Sequence, residues 1–288
     1  MKMNFIAAFF AVVLSAFGAE LPNTQWIYKT VGGKELKMDV FLPGNYESGK
    51  IFPAVVFFHG GSWREGTPDM QYPDCAYLSK RGMIAVAVDY RLKDRDHVEV
   101  PLECVKDARS AIRFLRKNAE KLKVDTGKIV VAGDSAGGQL AAALAMITDQ
   151  KMNDDCYDLS ISYRPDALIL HNPYFKCQPE LSPANYIAAG LPPVITFLGD
   201  QDQAITVESL AAFHKALKQA GNSSVLYVGK GGKHGFCNGR NKWNRFFYWS
   251  LDMEDQFLVK HGILSGASNV QRPEGVTPLQ PAEYDVYD

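Results

Sequence analysis

The pentapeptide Gly133-Asp134-Ser135-Ala136-Gly137 sits between an apolar run, Ile129-Val130-Val131-Ala132, and an alanine-rich stretch reaching about Thr148. A Gly-x-Ser-x-Gly step from strand to helix is a nucleophile elbow: the turn is too sharp for side chains at the outer positions, hence the two glycines. It lifts the Ser135 hydroxyl above the sheet edge. It also aims the N-terminus of the following helix at any negative charge that forms there. A chain built around such a turn needs a buried strand before it and a packed helix behind it. The pentapeptide alone is common in proteins, so its weight depends on what accompanies it.

One companion is His59-Gly60-Gly61-Ser62-Trp63, directly after the apolar run Ala54 to Phe58. A Gly-Gly after a strand is ordinarily a turn. Placed upstream of an elbow, it reads as an oxyanion loop in which the N–H groups of Gly60 and Gly61 join that of Ala136. His59 precedes the serine in the chain and reads as a loop-stabilising residue.

A serine hydroxyl also needs a base, and the base needs an acid to orient it. The chain order expected after such an elbow is Ser, then Asp or Glu, then His. Of six histidines, only His214, His234 and His261 come late enough. His214 falls inside an amphipathic helical pattern, and His261 precedes Gly262 at a helix end, where a cation suits the dipole. His234 lies in Gly231-Gly232-Lys233-His234-Gly235-Phe236, just past a strand pattern at Val225 to Val228, and is assigned as the base. The acid is expected after the strand Val194 to Leu198, where Gly199-Asp200-Gln201-Asp202 follows. Asp202 is preferred because it lies further past the strand end, and Asp200 stays open as the second candidate.

The His-Gly-Gly-x-Trp run, the pair Tyr90-Arg91 and Gly133-Asp134-Ser135-Ala136-Gly137-Gly138 resemble the α/β-hydrolase superfamily, most of all its hormone-sensitive-lipase-like and bacterial acetyl esterase members. Gly199-x-x-Asp202, His234-Gly235-Phe236, Ser182-Pro183 and Leu191-Pro192-Pro193 match later motifs of that group. The resemblance runs from about Trp26 to Gly262. It implies a triad of Ser135, Asp202 and His234, an oxyanion hole of Gly60, Gly61 and Ala136, and no cofactor or metal.

The alternation of strands and helices after Pro53 predicts an α/β-hydrolase fold with a mostly parallel eight-stranded sheet and helices on both faces. Strands read near 26–29, 36–42, 53–58, 84–89, 129–132, 167–171, 194–198 and 225–228. Helices read near 73–81, 102–122, 137–148, 207–220 and 245–261. Val31-Gly32-Gly33-Lys34 predicts an antiparallel hairpin at the start. Only Asn172 to Pro193 is free to cover the active-site face, so the cap is minimal and the cleft open. The tail from Ser265, with Pro273, Pro278 and Pro281, lacks periodicity and reads as extended or disordered. Trp63, Tyr90, Tyr174 and Phe236 stand past strand ends as candidate substrate contacts, and Tyr174 and Phe175 are candidates to stack on sugars.

Lys2, the apolar stretch Phe5 to Leu14 and the small residues near Ala16 read as a signal peptide over residues 1–19, shorter than a membrane span. The hydrolase domain is then 20–264 and the tail 265–288, in a secreted or periplasmic protein. Losing Lys2 takes the formal charge from −1 to −2, without the basic excess of a nucleic-acid binder or of a protein docking on anionic membranes. Cys75, Cys104, Cys156, Cys177 and Cys237 lack metal-ligand spacing, and Cys177–Cys237 is a candidate bridge across the active-site rim. Together these features predict an esterase removing short acyl groups, acetyl first, from carbohydrate such as acetylated xylan. The alternatives are a general small-ester carboxylesterase, a kynurenine-formamidase-like amidase, or a non-catalytic hydrolase-fold binding module.

Overall fold

The computed structural model describes residues 20–154 and 158–288, so the expected leader and Cys156 lie outside the described residues. Strands β1 (Thr24–Val31) and β2 (Lys34–Phe41) form the expected hairpin, with Gly32 and Gly33 both at positive φ. The chain continues through β3 (Phe52–Phe58), α1 (Tyr72–Lys80), β4 (Ile84–Val88), α2 (Lys93–Asp96), α3 (Leu102–Lys117) and α4 (Ala119–Leu122). It then forms β5 (Val124–Asp134), α5 (Ala136–Met146), β6 (Ala167–His171), β7 (Val194–Gly199), α6 (Val207–Gln219), β8 (Ser224–Gly229), α7 (Arg245–Lys260) and β9 (Tyr284–Tyr287). The sheet order is β1-β2-β4-β3-β5-β6-β7-β8-β9. Pairing is parallel from β4 through β8 and antiparallel for β1–β2, β2–β4 and β8–β9.

The central strands are apolar at nearly every position because both of their faces are covered. Ala54, Val56 and Phe58 of β3 face α3 and α5 in one core; Val55 and Phe57 face α1 and α7 in the other. Parallel strands of this kind put all their C-terminal ends on one edge, where the loops carrying Gly60, Ser135, Asp202 and His234 gather.

Three features differ from the sequence expectation. The tail crosses the surface and ends as a ninth strand, β9, whose residues 284–287 pair with β8. Arg245 fixes it by a two-pronged ion pair with Glu283 and by hydrogen bonds to the carbonyls of Thr277 and Pro278. A four-residue strand preceded by a proline-rich stretch has too little periodicity to be read, yet it covers the open backbone edge of β8. The helix expected over 102–122 breaks at Asn118, whose Nδ2 donates to the Phe114 carbonyl and terminates α3. The short helix α2 forms where the Asp96 carboxylate accepts the Leu92 N–H.

The loop after β4 is held by buried charge. Arg91 grips Asp107 of α3 through Nε (2.7 Å) and Nη2 (2.6 Å), Lys29 of β1 reaches the same carboxylate at 2.8 Å, and Arg91 also meets Asp154 at 2.9 Å. Removing one partner of such a group strands the others without compensation. Asp107→Ala is therefore expected to cost about 3–5 kcal/mol in denaturant unfolding. A loss below about 1 kcal/mol, the range of exposed pairs, would contradict that role.

Candidate active site

Ser135 adopts φ 50 and ψ −112 between β5 and α5, a region that residues with a side chain rarely enter. The cause is a close approach of backbones. A Cβ on Gly137 would lie 1.9 Å from the Phe58 carbonyl oxygen, and one on Gly133 would lie 2.5 Å from Gly137 itself. Glycine is required at both positions for lack of room, not for φ. The Ser135 N–H donates to the His171 carbonyl at 2.9 Å, and the Ser135 carbonyl accepts from Gln139 and Tyr174. The turn is thereby pinned from β6, α5 and the segment after β6.

The structure brings Ser135, His234 and Asp202 together. His234 Nε2 lies 2.9 Å from Ser135 Oγ and Nδ1 lies 2.7 Å from Asp202 Oδ2. Asp202 Oδ1 accepts the N–H groups of Ala204 (2.8 Å) and Ile205 (3.0 Å), so the buried carboxylate is fixed before it meets the imidazole. Asp200 turns the other way and accepts the Gly231 N–H at 2.7 Å. It fastens the acid loop to the base loop, which also pack backbone to backbone: the Gln201 N–H donates to the Gly232 carbonyl at 2.9 Å.

Gly60 packs directly on the serine, since a Cβ built on it would lie 3.5 Å from Ser135 Cβ. Ala136 is the first residue of α5, where backbone N–H groups have no intrahelical acceptor. After Gly61 (φ 111), both Ser62 and Trp63 are left-handed, a strained path that turns this loop over the nucleophile. His59 is buried, and its Nδ1–H donates to the Gly60 carbonyl at 2.7 Å. Burial pulls its pKa down, so the ring is the neutral brace of the loop.

Several candidate substrate contacts are corrected by packing. Tyr90 is wholly buried, stacked on His59 at 4.4 Å with its hydroxyl donating to the His59 carbonyl, so it supports the oxyanion loop from beneath. Phe236 is buried against Phe246 and Trp249. Trp63 is buried too, its Nε1 donating to Gln139 Oε1. Phe175 packs on Phe213 and staples its loop to α6. Tyr174 alone of the four candidates is half-buried at the site, one hydrogen bond from the Ser135 backbone. The Cys177–Cys237 bridge does not form: both thiols are free, Cys177 packing with the α3–α5 core and Cys237 within the α1–α7 core. Cys75 and Cys104 are free and buried.

Behind the elbow lies a polar group that sequence reasoning missed. His171, at the end of β6, places Nε2 2.8 Å from Glu254 of α7 and Nδ1 3.4 Å from Asp134. Asp134 also accepts from Gln71 Nε2 at 2.8 Å. Burial alone would lower the His171 pKa, but the charges of Glu254 and Asp134 outweigh it and hold the imidazolium well above its ordinary range. Burial and the Glu254 charge push the Asp74 carboxyl well up. Asn172, left-handed at φ 36, accepts the Gly235 N–H on Oδ1 at 3.2 Å and so ties the base loop to the strand beside the elbow. His171 and Asn172 had only their place at a strand end as a sequence signal, and Glu254 and Asp74, inside helices, had none.

His171 binds its proton more tightly folded than unfolded. Its stabilising contribution is complete below the unfolded histidine value, about 6.5, and is lost as pH rises through the raised folded value. Asp74, also raised, acts in the same direction. Melting temperature is expected to fall from about pH 6.5 upward. Glu254→Gln should cost about 3–5 kcal/mol near pH 6 and flatten that slope. An unchanged melting curve at pH 6 would remove the charge from this account.

The BD-FAE family matches residues 38–169. Esterase 2 of Thermogutta terrifontis, solved phosphorylated by paraoxon, superposes with TM-score 0.81 at 38% identity, covering 86% of this chain and 97% of that one. The carboxylesterase NlhH of Mycobacterium tuberculosis is 38% identical over 96 residues, 33% of this chain and 29% of that protein. The endo-1,4-beta-xylanase B of Butyrivibrio fibrisolvens is 27% identical over 191 residues, 59% of this chain and 30% of that protein. The chain thus spans less than a third of these two curated relatives. With the solved esterase the likeness is instead nearly end to end and extends to sequence, which makes this chain a member of the α/β-hydrolase superfamily, among the serine esterases of its hormone-sensitive-lipase-like group.

Proposed function

We propose that this chain is a secreted carboxylesterase that removes short acyl groups, acetyl first, from carbohydrate such as acetylated xylan. The observation that carries the esterase reading is the hydrogen-bonded line from Ser135 Oγ through His234 to Asp202. His234 Nε2 takes the Ser135 proton as Oγ attacks the ester carbonyl. Asp202 holds Nδ1–H toward itself and stabilises the imidazolium. The N–H groups of Gly60, Gly61 and Ala136 receive the oxyanion. The alcohol leaves with the proton from His234, and water then hydrolyses the acyl-enzyme by the same route.

Two things favour a short acyl group on a bulky alcohol. Among the described residues, the segment free to cover the site is residues 172–193, which carry two short 3-10 turns and no α-helix. The Thermogutta esterase has been solved with propionate and with butyrate bound, and a relative bears the name of a xylanase. A general small-ester carboxylesterase is the second reading, favoured by the name of the NlhH relative.

Acetate release from acetylated xylo-oligosaccharides, measured beside hydrolysis of p-nitrophenyl acetate and butyrate, separates the two. Ser135→Ala should lower kcat on the order of a million-fold and Asp202→Asn about ten-thousand-fold. Asp200→Asn should stay within about tenfold of wild type, since its carboxylate only fastens a turn. Ser135-dependent release from the oligosaccharide that rivals the chromogenic esters supports the carbohydrate reading; activity on the chromogenic esters alone supports the second.

A further inference from the structure

The loop that carries His234 is rich in positive charge, with no acidic residue in it to offset the cations. No Asp or Glu occurs from Ser209 to Leu251, while Lys230, Lys233, Arg240, Lys242 and Arg245 all fall after Gly229. Two of these cations are spent on the tail: Lys230 pairs with Asp285 and Arg245 with Glu283. Lys233, Arg240 and Lys242 are exposed and have no ion-pair partner among the described residues. Asp200, the carboxylate bonded to this loop, is engaged with the Gly231 N–H before the strip begins.

Beside those cations stands Trp243, 55% exposed, with Lys242 Nζ 5.0 Å from its ring centroid. A tryptophan this open, in a chain whose other aromatics near the site are buried or stapled, leaves a flat apolar face unused. The loop holding it is compact. Asn244 Nδ2 donates to the carbonyls of Phe236 (2.7 Å) and Asn238 (2.8 Å), and Tyr248 OH donates to the Lys242 carbonyl. Phe236 is two residues from His234, so the Asn244 side chain ties the segment holding Trp243 to the one that carries the catalytic imidazole.

We infer that Lys233, Arg240, Lys242 and Trp243 form a docking strip for a polysaccharide bearing carboxylates, a uronic-acid-substituted chain that stacks one ring on Trp243 and sets its acid groups against the three cations. This rests on the esterase reading of the site, and it gives that site a substrate class: acylated acidic glycans rather than neutral ones. The aromatic face selects a sugar ring and the cations select the charge. An acidic protein would use only the second. The stacking role expected of Tyr174 and Phe175 moves to Trp243.

Binding can be read without catalysis. The native protein is run in affinity gels containing deacetylated glucuronoxylan, neutral arabinoxylan or polyglutamate, at roughly 50 mM and 500 mM salt. Glucuronoxylan should retard the protein about tenfold more strongly than arabinoxylan at the lower salt, and the preference should shrink at the higher, where the Debye length is shorter. Arg240→Glu with Lys242→Glu should abolish the preference, while Trp243→Ala should weaken retardation by both xylans. Equal retardation by the two xylans, or a preference that survives the double charge reversal, overturns the inference. Retardation by polyglutamate equal to that by glucuronoxylan overturns the sugar assignment. A charge-dependent preference without acetate release from any acetylated glycan would fell the carbohydrate-esterase reading and leave the strip standing.

Discussion

The structure turns on one close contact of backbones. The Phe58 carbonyl at the end of β3 occupies the space that a Cβ on Gly137 would need, and Gly133 and Gly137 face each other with no room for side chains. This packing lets β5 turn into α5 within one residue, and Ser135 takes up the left-handed conformation that the turn demands. The same contact sets the loop after β3, because His59 and Gly60 continue directly from Phe58 and come to lie beside Ser135. Ser135 and the Gly60 loop are therefore positioned by one piece of geometry.

Charge is distributed unevenly about that point. In front, His234 stays partly open to solvent on a glycine-rich loop, its Nδ1 beside the buried carboxylate of Asp202. Behind, His171, Glu254, Asp134 and Asp74 form a polar group in the core, where α7 meets the end of β6. A buried imidazolium between carboxylates resists movement, since any displacement leaves a charge without its partner in a low-dielectric surrounding. The elbow is thereby braced by ionic contacts on the side away from the substrate. On the substrate side it is left free for the reaction.

The edge of the sheet serves the same face. β9 covers β8, and Arg245, which anchors the tail, begins the helix that follows the base loop. Tail, β8 and base loop are thus one tied unit. Lys230 and Arg245 are used to hold the tail, while Lys233, Arg240 and Lys242 are left to solvent, near the one open indole.

Much of this was legible in the chain. The elbow and the Gly-Gly loop follow from local chemistry, because a strained turn and a close backbone approach require particular residues at fixed spacing, and the order of serine, aspartate and histidine came from the resemblance to the α/β-hydrolase superfamily. The alternation of apolar runs and amphipathic stretches likewise set the α/β-hydrolase fold, since helices on both faces leave strands with no polar side. What local chemistry could not decide was which side chains meet across the fold. Asp200 and Asp202 are equivalent in sequence, and only the direction of the loop separates a fastening from an orienting carboxylate. Tyr90 and Phe236 stand at strand ends yet face inward. Cys177 and Cys237 follow β6 and β8 on the same edge of the sheet yet enter opposite cores. His171 and Glu254 lie 83 residues apart and touch only once β6 and α7 are packed. The sequence by itself determined the turn, its chemistry and the layered fold, because these depend on neighbours along the chain; the partners of each buried charge and the exposure of Trp243 were decided by tertiary structure, because burial belongs to the assembled surface.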